Sequence, residues 1–353
     1  MRRSTLWLLG GLALAFGLPI AFALRSLVWM EWRVALEQPA VAGPLLAAGQ
    51  VLVASREGTL RAFSSEDGSE RWRARCAAPL GAESLAAREP LAVCAGAGRL
   101  AVLHLATGGL HFEQELPAAP DEAVVALSEA LVLVAQGDTL RGVDAEDGAL
   151  RFRATPWPGR RLTSLRVEDG LLLATGALRA GGEGASAGAG GVAALDATTG
   201  SVRWLRELSA PVEIATERGG DLIFALGAAN PPQVFALERE SGALRWSGPG
   251  ETAPIALGEV AIDAQGATLR ARDLASGAPR WEKVGFEAPW SAPPTRAGEL
   301  ALAAFGPSLF AFRTGGVKVF VYPLRGSISR PTGDAARVYY VEGGTSLVAL
   351  DVD

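Results

Sequence analysis

From about residue 30 onward the chain alternates short apolar runs with polar turns, and in many runs the small or aliphatic residues fall at every second position. That two-residue period marks strands with a packed face. The stretch Gly191-Val-Ala-Ala-Leu-Asp196-Ala-Thr-Thr-Gly200-Ser-Val-Arg-Trp204 shows the unit in full. Val192 and Ala194 share one face of a strand. The Asp196 carboxylate is placed to accept backbone N–H groups in the turn that follows, and Gly200 supplies the positive φ that such a turn needs. Trp204 then lies in the returning strand, large enough to fill a gap between neighbouring sheets. The unit is a β-hairpin with an aromatic anchor.

The same frame recurs at Leu60, Ala62, Ser64, Gly68 and Trp72, at Leu100, Val102, His104, Gly108 and Phe112, and at Leu140, Gly142, Asp144, Gly148 and Phe152. Beyond the type example it returns at Val234, Ala236, Glu238, Gly242 and Trp246, then at Leu269, Ala271, Asp273, Gly277 and Trp281. A seventh copy, Leu309, Ala311, Arg313, Gly316 and Phe320, has a turn one residue shorter. The eighth reaches only Leu347, Ala349 and Asp351, and its missing aromatic strand is found in Glu31-Trp32-Arg33-Val34-Ala35-Leu36. Copies starting at 60, 100, 140, 192, 234, 269, 309 and 347 have the period of an array or a propeller. A further strand-like run precedes each start, as in Val51-Leu-Val-Ala54 and Val338-Tyr-Tyr-Val341. Each repeat therefore holds about four strands, the content of a propeller blade. An open array needs polar caps at both ends, whereas here the last repeat lacks the strand that the first residues supply. The prediction is an all-β fold over residues 29–353: an eight-bladed β-propeller of four-stranded antiparallel blades, closed by an N-terminal strand. Its structural aromatics are Trp32, Trp72, Phe112, Phe152, Trp204, Trp246, Trp281 and Phe320.

Residues 1–28 follow a different pattern. Met1-Arg2-Arg3 precedes an uncharged run over residues 4–24, long enough for one hydrophobic helix across a membrane. The same run parses as a signal peptide, with an apolar core at 6–16, the breakers Gly17 and Pro19, and Ala21-Phe-Ala23 as a cleavage site. Both readings stand, and in either one the positive charges ahead of the run put the propeller in the periplasm or another extracytoplasmic space. Export bears on Cys76 and Cys94, the only cysteines. A bridge between them is open, but the expectation is two small buried apolar side chains. A net charge of −5, with scattered arginines, offers no footprint for nucleic acid. Of 33 basic residues only Lys283 and Lys318 are lysines.

Regular hairpins say little about function, so departures from the frame matter more. Blade 4 joins its second and third strands through a low-complexity connection over residues 176–191, and blade 5 does so through a segment containing Asn230, Pro231 and Pro232. Both emerge on the rim that also receives the connections between blades. One of those carries Trp157 beside Arg160 and Arg161, and another carries Trp290. Aromatic and arginine side chains are common interface anchors, so Trp157, Arg160, Arg161, Asn230, Pro231, Pro232 and Trp290 are the candidate partner-binding residues. For Trp157 the alternative is a ring folded back onto its own blade. The turn acids Asp144, Asp196, Asp273 and Asp351 do not form an alternating calcium-ligand series, so turn capping accounts for them and no metal site is expected. His104 and His111 both occupy repeat positions. With no Cys/His metal spacing, no nucleophile elbow and no phosphate loop, no catalytic or cofactor-binding residue is assigned.

The Asp-Ala-Thr-Thr-Gly-x-x-x-Trp unit, closed by the N-terminal Trp32-Arg33 strand, resembles the pyrroloquinoline-quinone (PQQ) repeat of eight-bladed propellers over nearly all of the chain after residue 29. The resemblance implies one of two branches. Quinoprotein dehydrogenases hold the quinone over the central axis beside a disulfide between adjacent cysteines, and coordinate calcium with acidic and amide side chains; Cys76 and Cys94 are not adjacent. The non-catalytic branch is similar to the propeller lipoprotein of the outer-membrane β-barrel assembly machinery, and agrees in size and export. The expectation is a non-enzymatic exported scaffold without a cofactor, binding other envelope or membrane proteins. A PQQ-dependent quinoprotein dehydrogenase and a membrane-anchored sensory or ligand-binding propeller are the alternatives.

Overall fold

Strand pairing turns the repeat into geometry. The computed structural model describes residues 29–96, 98–117, 122–178, 190–208, 212–214, 220–227 and 230–352. Their strands form eight four-stranded antiparallel sheets, the blades of a closed propeller. In seven of them the strands are consecutive in sequence. The eighth combines Thr332–Gly333, Arg337–Glu342 and Ser346–Asp351 with Trp29–Ala35 from the start of the chain. Trp32 pairs with Ala349 and Ala35 with Ser346, so the predicted closing strand is in place. The predicted hydrophobic helix, as membrane anchor or signal peptide, lies outside the described residues. Among those that are described, no helix is long and apolar enough to cross a membrane.

Register explains the residues of the frame. In every blade the outer-strand aromatic faces the small or slender position: Trp72 faces Ala62, Phe112 Val102, Phe152 Gly142, Trp204 Ala194, Trp246 Ala236, Trp281 Ala271 and Phe320 Ala311. The ring then leans across to the next blade and lies on its turn glycine. A Cβ added to Gly108, Gly200 or Gly242 would fall 2.4, 2.3 or 2.5 Å from a ring carbon of Trp72, Phe152 or Trp204. The glycine is thus required twice, for its positive φ (+69° at Gly200) and for having no side chain. The indole N–H groups of Trp72, Trp204, Trp246 and Trp281 donate to turn carbonyls of the following blade, those of Leu105, Arg239, Leu274 and Thr314, at 2.7 to 2.9 Å. Each tryptophan fills the inter-sheet gap while satisfying its own buried donor. Phe112 and Phe152 make the same contact without the bond.

Asp144, Asp196 and Asp273 cap their turns as expected, with a partner that the frame did not include, whereas Asp351 lies in the strand paired with Trp29. Asp196 Oδ1 accepts the N–H groups of Thr198 and Thr199 at 3.0 Å, and Oδ2 accepts the Arg203 guanidinium at 2.8 Å. Arg203 first, and then the turn amides, hold this carboxyl down at about 2. Asp144 with Arg151 and Asp273 with Arg280 repeat the arrangement. In blade 7 the shorter turn closes one residue earlier, the Gly316 N–H donating to the Arg313 carbonyl.

Cys76 and Cys94 are joined by a disulfide, which corrects the expectation of two separate thiols. Cys76 follows the outer strand of blade 1, and Cys94 lies in the second strand of blade 2 opposite Leu85. The packing of adjacent blades brings them together, something a separation of 18 residues does not reveal. A bridge of that span stabilises by about 3 kcal/mol, chiefly by restricting the unfolded chain.

The second strands, such as Leu131–Gln136 and Leu222–Gly227, are buried throughout, since neighbouring blades cover both faces. Two buried carboxylates sit among them, Glu342 of blade 8, paired with Arg33, and Asp263 of blade 6. Asp263, 0% exposed, faces Arg270 and Arg272 at 3.5 and 3.6 Å, too far for hydrogen bonds of normal strength. Burial outweighs the two cations and pushes its carboxyl up to about 6 from an ordinary 3.8. The folded protein then takes up a proton at a pH where the unfolded chain does not. Stability from this group is therefore fully present below about pH 4 and is lost as pH rises through about 6, by at most about 3 kcal/mol. Melting temperatures of the parent and Asp263→Asn between about pH 5 and pH 8 should diverge, the parent losing stability with rising pH relative to the variant. Parallel profiles would show that the carboxylate is already compensated in its ionised form.

Candidate functional site

Blade 4 is taller than the other blades. Its first two strands, Arg160–Glu168 and Leu171–Leu178, have 9 and 8 residues, whereas the second strands of blades 1, 2, 3, 5, 6 and 7 have 6. The surplus lies at the rim predicted to bind a partner, where Arg160 pairs with Leu178 and Gly190 with Leu208. Of the low-complexity connection, residues 179–189 lie outside the described residues.

Trp157 is folded onto this blade, the alternative that the sequence left open, and so it is not the projecting anchor expected of it. The ring is 7% exposed and occupies a notch made by two glycines: a Cβ on Gly191 would fall 1.9 Å from Trp157 Cη2, and one on Gly176 3.1 Å from Cε3. Glycines that read as flexibility in the sequence are, at the base of the loop, a seat for an indole. The Arg160 guanidinium stacks over the ring at 4.3 Å and reaches Glu207 in the outer strand at 2.9 Å. The Gly159 N–H donates to Asp138 of blade 3 at 3.0 Å. Trp157 and Arg160 therefore stiffen the base of the connection, and Arg161 beside them is half-buried.

On blade 5, Asn230 and Pro231 are exposed and Pro232 is half-buried, its carbonyl accepting the Gly250 N–H at 3.2 Å. Trp290 is placed apart from this group, at the junction of blades 6 and 7. It is half-buried and donates from Nε1 to Glu251 at 2.9 Å. The same carboxylate accepts the Gly266 N–H, and that bond, followed by the one from Trp290, holds it below the usual range. Of the sequence candidates, Asn230 and Pro231 are those that the fold leaves open to a partner.

The central channel is the other place where this architecture can hold a ligand. A cavity of about 580 Å3 is lined by Leu45, Leu85, Val125 and Leu127 from three first strands, with Arg166, Arg296 and Arg330 around them. Glu83 is its one carboxylate, and the Arg166 guanidinium donates to both its oxygens at 2.7 and 3.2 Å. Calcium takes about six to eight oxygen ligands. A single carboxylate already neutralised by arginine does not supply them, so this lining does not fit a quinone with its calcium. His104 and His111 meet edge to face at 4.8 Å, and no group of three or more metal-binding side chains occurs among the described residues.

A family model described as outer membrane protein assembly factor BamB matches residues 30–124, 56–174 and 159–289, segments that overlap to take in most of the ring. The chain belongs to this family. Among solved structures, BamB from Moraxella catarrhalis is 17% identical, with a TM-score of 0.67 over 92% of this chain and 98% of its own. The computationally designed Ika8 protein is 13% identical, with a TM-score of 0.71 over 92% and 100%. The quinohemoprotein alcohol dehydrogenase from Comamonas testosteroni is 13% identical, with a TM-score of 0.67 over 94% and 77%. At such identities the likeness is one of fold, shared by assembly factor, design and enzyme alike. A sequence search of curated proteins finds no significant match.

Proposed function

We propose that this chain is a non-enzymatic scaffold of a bacterial cell envelope, exported from the cytoplasm, which takes part in outer-membrane protein assembly by binding other envelope proteins. Membership of the family described as an outer membrane assembly factor carries this reading. The build of the blade 4 and blade 5 rim supports it. Trp157 and Arg160 fix the ends of the long strands, so the low-complexity connection starts and ends on a stiff base, and a preorganised base lowers the entropy lost on binding. Exposed Asn230 and Pro231 extend the surface onto the next blade, and Glu207 adds an exposed carboxylate at the end of the outer strand.

The fold shared with a quinohemoprotein alcohol dehydrogenase raises an enzymatic alternative. The pairing of Glu83 with Arg166 speaks for the scaffold, because it occupies the one carboxylate among the described residues lining that cavity. Purified protein given PQQ and calcium should accordingly show no dye-linked oxidation of alcohols, and turnover would favour the enzyme.

The scaffold reading is tested in cells lacking the chain, which should accumulate unfolded outer-membrane β-barrel proteins. A variant with Asn230→Arg should weaken the restoration of their folding while keeping the parent melting temperature, as expected of an exposed substitution. Normal barrel folding without the chain would overturn the function, and full rescue by the variant would overturn the rim.

A further inference from the structure

The only two lysines of the chain, Lys283 and Lys318, come together at one groove. It opens between blades 6 and 7 and has a volume of about 710 Å3. That lies within the roughly 300–1,000 Å3 of cavities that enclose a ligand or several side chains. Its floor is aromatic. Phe286, from the connection leaving blade 6, stacks on Phe305 with 3.9 Å between ring centres and meets Phe310 edge-on at 4.9 Å. The apolar surface does not stop there, because Val284, Val317 and Val321 are 73%, 64% and 44% exposed. Val321 pairs with Phe310 across the last two strands of blade 7, so one continuous face runs from the aromatic floor to the outer strand Lys318–Pro323.

The equivalent outer-strand position is charged in five of the other seven blades, the exceptions being Leu205 of blade 4, 46% exposed, and Ser247 of blade 5. The residue after the outer-strand aromatic is Arg73, Glu113, Arg153 and Glu282 in blades 1, 2, 3 and 6, and in blade 7 it is Val321. The residue opposite is Arg61, Arg141 and Arg270 in blades 1, 3 and 6, and here it is Phe310. No strand lies beyond Lys318–Pro323 in its sheet. A last strand that is apolar beyond Lys318, beside an open aromatic groove, is a surface that proteins avoid unless a partner covers it. The lysines point to the character of that partner. Neither has a carboxylate partner among the described residues, although Lys283 lies 5.8 Å from the centre of the Trp281 ring. Long methylene stems let both lie along apolar surface while holding a charge at its border.

We infer that this groove docks an extended segment of a partner protein in which apolar side chains lie between carboxylates. The apolar side chains cover Phe286, Phe310 and Val321, and the carboxylates pair with Lys283 and Lys318. The site is separate from the blade 4 and blade 5 rim, so either can fail alone.

Three dye-labelled peptides test it by fluorescence anisotropy with the whole exported chain. The first has a valine-phenylalanine-valine core between glutamates, the second the same core between lysines, and the third a serine core between glutamates. The first should bind at least about tenfold more tightly than the others. Val317→Glu with Val321→Glu, both at exposed positions, should abolish that binding at an unchanged melting temperature, and Lys283→Glu with Lys318→Glu should reverse the preference between the first two peptides. Equal binding of the lysine-flanked peptide to the parent, undiminished binding to the valine variant, or no binding of any peptide would each overturn the inference. So would self-association in sedimentation that the valine substitutions abolish, since the groove would then belong to a second copy.

Discussion

Deleting residues 29–37 should abolish cooperative unfolding. The strand Trp29–Ala35 closes the ring, and its removal opens the eighth blade along Ser346–Asp351. Trp32 is 8% exposed and lies on Gly68 of blade 1, so its loss empties a socket between two blades. A large-to-small change at such a site costs about 3 to 5 kcal/mol. The strand also carries Arg33, paired at 2.5 Å with Glu342, and stranding one partner of a buried pair costs about as much again. Here the Arg325 N–H, which also donates to Glu342, softens that penalty. Set against total stabilities of about 5 to 15 kcal/mol, the sum leaves little of the folded state. Denaturant curves followed by tryptophan fluorescence and by circular dichroism should cease to coincide, and a synthetic peptide of residues 29–37 added in trans should restore them. A truncated protein with the midpoint and slope of its parent would show that the ring does not depend on this strand.

Closure was legible in the sequence because both halves of the split blade keep the frame. Leu347, Ala349 and Asp351 break off where an aromatic strand is due, and Trp32 is the one unplaced aromatic with the right neighbours. The frame is local chemistry, an acid and a glycine in a turn with an aromatic four residues later, and local chemistry survives in one dimension. What escaped depends on which faces meet. The Cys76–Cys94 bridge follows from the packing of blade 1 on blade 2. The seat of Trp157 is made by Gly176 and Gly191, residues that composition alone marks as flexible; their position at the two ends of the connection, flanking strand residues, was the signal available. The groove between blades 6 and 7 needs Phe286 and Val321 to face each other across a gap, and no repeat position foretells that. Arginines such as Arg151, Arg203 and Arg280, each seven residues past a turn acid, could have been added to the frame, for their spacing is as regular as that of the glycine.

Trp204→Ala should cost about 3 to 5 kcal/mol, as expected for emptying a large core site. The ring lies on Gly242 and its N–H donates to the Arg239 carbonyl at 2.8 Å, so truncation opens the gap between blades 4 and 5 and unpairs a carbonyl. Trp204→Phe should cost only about 1 to 2 kcal/mol, near the worth of the lost bond and a little volume. Phe112 and Phe152 already fill this seat in blades 2 and 3. The decisive measurement is a double-mutant cycle with Gly242→Ala. In the parent the new methyl would lie 2.5 Å from Trp204 Cε3 on a backbone with φ of +66°, so it meets the ring and also strains a left-handed turn. The strain alone is worth about 1 to 2 kcal/mol. Once Trp204 is alanine the collision is gone and only the strain remains. The double mutant should therefore be less destabilised than the sum of the single ones, by more than about 1 kcal/mol in chemical denaturation. Additive effects would mean that the ring does not rest on the glycine, and that the turn glycines are kept for their φ alone.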